Sequence, residues 1–175
     1  TWGDAKSGGN SNSAALALAG NRITKIASTT SAFAAITTDG GVITWGANES
    51  DFSNSNSNFG DPFGELETYS NKGGDSSSVI SQLLSGVTEI TSTSTAFAAL
   101  KENGSVVTWG SDSHGGDSSA VAADLSSGVV KIFATNLSFV AIKDDGSAVT
   151  WGADGYGGNS TAVSGQLNGN ISEVF

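Results

Sequence analysis

The chain has 175 residues, with seven Lys plus Arg against seventeen Asp plus Glu, a formal charge of −10, one His, and neither Cys nor Met. That charge excludes a nucleic-acid partner, which needs clustered cations to neutralise phosphates. The missing Cys excludes disulfide frameworks, thiolate metal sites and cysteine nucleophiles, and no apolar run is long enough for membrane insertion.

In chain order, the first landmark is Thr-Trp-Gly, which recurs with its indoles at Trp2, Trp45, Trp109 and Trp151, at intervals of 43, 64 and 42 residues. A Gly-Gly pair follows Trp2 by six residues, starting at Gly8. The Ala-rich stretch 14–19 comes next, readable either as a short strand or as a helical turn. Ile26 then marks an inner strand, and Phe33 an apolar strand that leads to Asp39-Gly40 and on to Trp45. An Asp-Gly or Asn-Gly pair between two apolar runs signals a hairpin, expected here as a primed two-residue turn.

After Trp45 the Gly-Gly pair is delayed to Gly73, so the second unit carries a 22-residue insertion, near residues 49–71. Phe52, Phe59, Phe63, Leu66 and Tyr69 stand there among Asp51, Asp61, Glu65 and Glu67, with the only proline, Pro62. An aromatic, acidic excursion on a regular scaffold is either a partner-binding loop or a self-packed Ω-loop. The landmarks then resume in phase: Ile90, Phe97, Asn103-Gly104 and Trp109, then Gly115, Ile132, Phe139, Asp145-Gly146 and Trp151, then Gly157. Residues 118–125 and 160–167 repeat the ambiguity of 14–19, strand or turn. The chain closes on Val174-Phe175, equivalents of Ile132-Phe133.

Four short antiparallel strands in about 42 residues are the unit of a β-propeller blade. The rival is a parallel β-solenoid with two coils of about 21 residues per unit; repeated tight hairpins favour the propeller. The fold class expected is therefore all-β, a propeller of four-stranded antiparallel blades. Residues 1–175 would form a single repeat segment with about three full blades and partial ones. Because a ring of seven such blades needs about 294 residues, the ring is expected to be incomplete and closed by further blades of the same chain or by another protein.

The run 132–152, IFATNLSFVAIKDDGSAVTWG, resembles the repeat of the regulator-of-chromosome-condensation family, and the same signature recurs at 26–46 and 90–110. The resemblance implies a seven-bladed propeller. Two features depart from the family's pattern. Ser-Thr or Ala-Thr (Ser28-Thr29, Ser92-Thr93, Ala134-Thr135) replaces the usual Cys-Gly, and Gly-Gly-Asp/Asn-Ser replaces Gly-Gln-Leu-Gly. With these shorter blades the chain looks like arrays in large secreted bacterial or algal proteins, and the nuclear exchange activity is not carried over.

Repetition itself weighs the candidate sites. One register for Trp2, Trp45, Trp109 and Trp151 points to structural indoles rather than a sugar platform. Phe33, Phe97 and Phe139, with Gly40, Gly104 and Gly146, share that structural reading. The loops 112–117 and 154–159 offer oxygen ligands on glycine-rich backbone, which suits Ca²⁺, but turn chemistry accounts for the same residues. His114 has Ser7 and Tyr156 as counterparts, so no imidazole is demanded there, and no nucleophile elbow occurs. No catalytic residue and no bound metal is therefore expected.

Asn48, Asn103, Asn136, Asn159 and Asn170 each head an Asn-x-Ser/Thr triplet, a glycosylation acceptor in a secretory pathway. The functional expectation is a non-enzymatic scaffold of a larger extracellular or surface protein, mediating adhesion or assembly. Two alternatives stand beside it: a carbohydrate- or calcium-binding lectin-like module, and an accessory subunit docking through the Phe-rich insertion.

Overall fold

A computed structural model describes residues 10–12, 14–47, 73–169 and 171. It contains three antiparallel three-stranded sheets, each running in chain order. Sheet one is β1 (Ile23–Ser28), β2 (Ala32–Thr37) and β3 (Val42–Gly46). Sheet two is β4 (Val87–Ser92), β5 (Ala96–Lys101) and β6 (Val106–Gly110). Sheet three is β7 (Val129–Ala134), β8 (Ser138–Lys143) and β9 (Ala148–Gly152). Strands reversing through hairpins rule out the parallel solenoid.

Each sheet has three strands where four were expected. The fourth segment is helical in every unit: α1 (Ala15–Gly20) ahead of sheet one, and 3₁₀ turns at Ser77–Gln82, Ser119–Val121 and Thr161–Gln166. An Asx turn leads into each of the three 3₁₀ turns. The Asp75, Asp117 and Asn159 side chains accept hydrogen bonds from the N–H groups of Ser77, Ser119 and Thr161 at 2.8, 2.8 and 3.0 Å, bending the backbone into a turn. The end of each 3₁₀ segment then lies along the outer strand of the sheet before it. Leu83, Leu125 and Leu167 carbonyls accept from the N–H groups of Val42, Val106 and Ala148, so part of the outer edge is covered without a fourth strand.

The hairpin tips also depart from the expected primed turn. Gly104 N–H donates to Lys101 C=O and Lys101 N–H to Ser105 C=O, both at 2.9 Å. The loop is therefore three residues, 102–104, with Gly104 left-handed at φ 75° in the bulge position. Gly40 and Gly146 occupy the same place. Near the start of each inner strand the register slips by one residue, between Ile23/Lys25, Val87/Glu89 and Val129/Lys131. At two of these bulges the extra residue is a threonine, and Thr24 and Thr88 hydroxyls donate to Ile36 and Leu100 carbonyls at 3.1 and 3.2 Å.

The sheets stack in sequence, β4 packing on β1 and β2, and β7 on β4 and β5. The middle strand of sheet two is therefore covered by a sheet on each face, and the middle strands carry small residues, Ala32, Ala34 and Ala35 in sheet one and Ala96, Ala98 and Ala99 in sheet two, each buried. One core lies between sheets one and two, where Ala32, Ala34 and Ile36 meet Val87, Phe97, Trp109 and the partly buried Ile90. The next repeats it with Ala96, Ala98 and Leu100 against Val129, Ile132, Phe139 and Trp151. The fold is all-β and propeller-type, and among the described residues the sheets form an open series rather than a closed ring.

Candidate functional site

The junctions between sheets place most of the residues singled out in the sequence. Phe33, Phe97 and Phe139 stand directly opposite Trp45, Trp109 and Trp151 in the strand register. The three pairs stack with ring centroids 5.3, 5.2 and 5.1 Å apart. Trp109 and Trp151 donate their indole N–H to the carbonyls of Gly73 and Gly115, each 3.1 Å away in the loop of the preceding unit. A Cβ at Gly73 would lie 2.5 Å from the Phe97 ring, and one at Gly115 2.6 Å from the Phe139 ring, while both glycines are left-handed. These indoles are buried and point into the protein. Trp45 is equally buried, yet its Nε1 has no acceptor among the described residues. Trp2 and the insertion residues Phe52, Phe59, Phe63, Leu66 and Tyr69 lie outside the described residues.

Hairpin-tip glycines Gly40 and Gly104 act between units as well as within them. Their carbonyls accept the N–H of Val87 and Val129, the first residues of the following sheets, at 2.9 and 3.0 Å, and Gly146 accepts from Ile171 at 3.0 Å. Sequence reading found the turn but not this latch; its only trace is the separation of 25 residues from Gly104 to Val129 and from Gly146 to Ile171, lengthened to 47 by the insertion between Gly40 and Val87. A second rail runs through the turns after the inner strands, Thr30 N–H to Ser94 C=O and Ser94 N–H to Asn136 C=O, both 2.9 Å.

The loops considered for Ca²⁺ are bound up in their own backbone. Gly116 N–H donates to Ser111 C=O and Gly158 N–H to Ala153 C=O, closing each loop at its stem, and the matching bond from Gly74 N–H to Ala47 C=O joins the ends of the insertion. Asp117 is held below the ordinary carboxylate range, chiefly by the Ser119 N–H and then by the Ser119 hydroxyl. His114 Nδ1 lies 2.8 Å from Ser113 Oγ and 3.3 Å from Ser111 Oγ. Among the described residues no three His, Cys, Asp or Glu side chains converge as a metal site.

One cleft, missed at the sequence level, runs beside the outer edge of β6 with a volume of about 730 Å³. Ser78 and Gln82 of the preceding unit form one wall, Ser118 and Ser119 the other, and Thr108 lies on the floor. Thr108 Oγ1 is within 2.9 Å of both the Gly116 carbonyl and Ser118 Oγ. Lys101 Nζ is directed to the Gln82 carbonyl at 2.6 Å. Such a cleft offers hydroxyls and amides to a polar ligand. Its only visible signal in the sequence is the serine cluster after each Gly-Gly pair.

Comparison with protein families and with curated proteins gives no match. Among solved structures the chain is similar to human WBSCR16, at 19% identity over 77% of this chain and 35% of that one, with a TM-score of 0.44. Similarity to yeast RCC1 (Prp20), solved with Kap60, is 15% over 75% and 30% with a TM-score of 0.44. For the ectodomain of the Physcomitrella patens receptor kinase CR4 the values are 17%, 75%, 30% and 0.43. The chain thus spans about a third of the length of these structures.

Proposed function

We propose that the chain is a non-enzymatic protein-interaction scaffold, part of an extracellular or surface protein acting in adhesion or assembly. The observation that carries this reading is a constant frame bearing variable loops. Backbone latches and buried indoles recur at each junction, while the position five residues after the Trp changes from a half-buried His114 to Tyr156, 67% exposed. Partner recognition then belongs to the loops, as expected when binding residues sit on a rigid scaffold. A photo-crosslinker at His114 or Tyr156 should capture a protein partner, and one at the hairpin-tip residue Asn103 should not. Equal capture at all three positions argues against the reading. Recovery of the protein only inside its cells removes the extracellular part.

The β6 cleft favours a second reading, a carbohydrate-binding module, because its walls and floor are rich in hydroxyl groups. Calorimetry against a glycan panel, with and without Ca²⁺, tests it, and heat absent from every member rejects it. Docking through the insertion 49–71 is tested by its deletion, which on that reading abolishes partner capture and leaves the sheets folded.

A further inference from the structure

The three hairpin tips share one geometry but not one chemistry. Where sheets one and three carry Asp39-Gly40 and Asp145-Gly146, sheet two carries Asn103-Gly104, with Asn103 exposed. The Asn103 side-chain carbonyl accepts the Ser105 hydroxyl at 2.7 Å and the Ser105 N–H at 3.1 Å. This Asx turn folds the amide carbon of Asn103 back over the intervening Gly104 peptide. The two donors also sit at the atom where negative charge gathers if that carbon is attacked, the arrangement of an oxyanion hole. Gly104 has no side chain to keep its nitrogen from a close approach. What restrains the nitrogen is its N–H bond to the Lys101 carbonyl, 2.9 Å long, and a tip bond of this kind breaks by local opening while the sheets stay folded.

We propose that Asn103 is a site of spontaneous modification, at which the Gly104 nitrogen attacks the side-chain amide carbon of Asn103. A C–N bond forms, and the proton of the Gly104 nitrogen passes through water to the departing amide nitrogen, which leaves as ammonia. The product is a cyclic succinimide, and water then adds to one of its two carbonyls. Breaking the new C–N bond leaves aspartate. Breaking the original peptide bond instead leaves isoaspartate, in which the main chain runs through the side-chain carbon. The two products have opposite consequences. Aspartate fits the tip, because Asp145 already accepts the Ser147 hydroxyl and N–H in the equivalent place, at 2.6 and 2.9 Å. Isoaspartate lengthens the main chain where there is no room: a Cβ on Gly104 would lie 2.8 Å from the Gly128 nitrogen. The Gly104 carbonyl also holds the Val129 N–H at 3.0 Å, so isoaspartate loosens the latch between sheets two and three. The tips at Asp39 and Asp145 are spared, since a carboxylate held in its ionised form repels a nucleophile. The site stands whether or not the loops bind a partner.

The test ages the complete chain at mildly alkaline pH in heavy-oxygen water and maps its peptides by mass spectrometry. Asn103 should lose its amide and gain heavy oxygen about tenfold or more faster than the exposed Asn136 and Asn159, which precede Leu137 and Ser160 rather than glycine. Ser105→Ala, which removes the shorter bond to the Asn103 carbonyl, should slow the conversion about threefold in the folded chain and leave it unchanged in denaturant. In the isolated isoaspartate form, hydrogen exchange at the Val129 amide should be about tenfold faster than in the fresh chain, whereas Asn103→Asp should leave it unchanged. Loss at Asn103 no faster than at Asn136 and Asn159 overturns the site. A Ser105→Ala effect equal in both states, or absent from both, overturns the part given to Ser105. Unaltered Val129 exchange in the isoaspartate form overturns the loosening.

Discussion

At Gly115 three demands meet on one residue. Its φ of 94° is left-handed, its carbonyl accepts the Trp151 indole, and its missing side chain leaves room for the Phe139 ring. Gly115→Ala should therefore cost about 2–4 kcal/mol, summing left-handed strain and overpacking against a buried ring. Denaturant unfolding should show the lower midpoint. The opposite case is Val130, which occupies the bulge position of Thr24 and Thr88 but lacks their hydroxyl and is 56% exposed. Val130→Thr should let a hydroxyl reach the Ile142 carbonyl, as Thr24 reaches Ile36. The expected gain is about 0.5–1 kcal/mol in thermal unfolding.

At the scale of the element, the hairpin tips tie stability to pH. The Asp145 carboxylate accepts the Ser147 hydroxyl and N–H at 2.6 and 2.9 Å. Its proton affinity is lowered first by the hydroxyl, then by the N–H, and further by the Lys143 charge. Asp39 is lowered chiefly by the Thr37 hydroxyl and then by the Gly41 N–H. Groups depressed in the folded state contribute stability that is complete above the unfolded carboxylate range, about pH 4, and is lost as pH falls through the folded value. Acid unfolding followed by circular dichroism should show this, and Asp145→Asn should flatten that part of the profile. Asn103 already accepts the Ser105 N–H at 3.1 Å in the same setting.

The positions of these hairpins and the apolar strands were legible in the sequence because each depends on residues only a few positions apart, whereas the stacking of each Phe on the Trp twelve residues later was not. Phase across units supplied the rest of the sheet pattern. The fourth segment was not legible. Its Ser and Ala residues satisfy strand and turn equally, and the bonds that precede it are Asx bonds that Asp and Asn make in either setting. The β6 cleft was hidden for another reason: its two walls belong to successive units, separated by a whole sheet in the chain.

For the whole molecule, stability should follow position in the stack rather than local composition. A unit in a repeat array draws much of its stability from its neighbours. Sheet two is covered on both sides, whereas sheet one exposes Ile26 and sheet three leaves Val140 half-buried where Ala34 and Ala98 are fully buried. Hydrogen exchange should therefore be slowest in β5, with β2 and β8 opening earlier. A single global opening event with equal protection in all three middle strands would contradict this.

The bond from Gly74 N–H to Ala47 C=O, 3.1 Å long, has a wider consequence. It joins the two ends of a stretch more than twenty residues longer than its counterparts, yet the same stem bond closes the short loops at Ser111–Gly116 and Ala153–Gly158. Doubling a loop's length adds only about 0.6 kcal/mol of closure entropy. The stem thus works as a socket: sequences of very different size can be plugged in at this address, by evolution or by an engineer, while the stack beneath keeps its spacing.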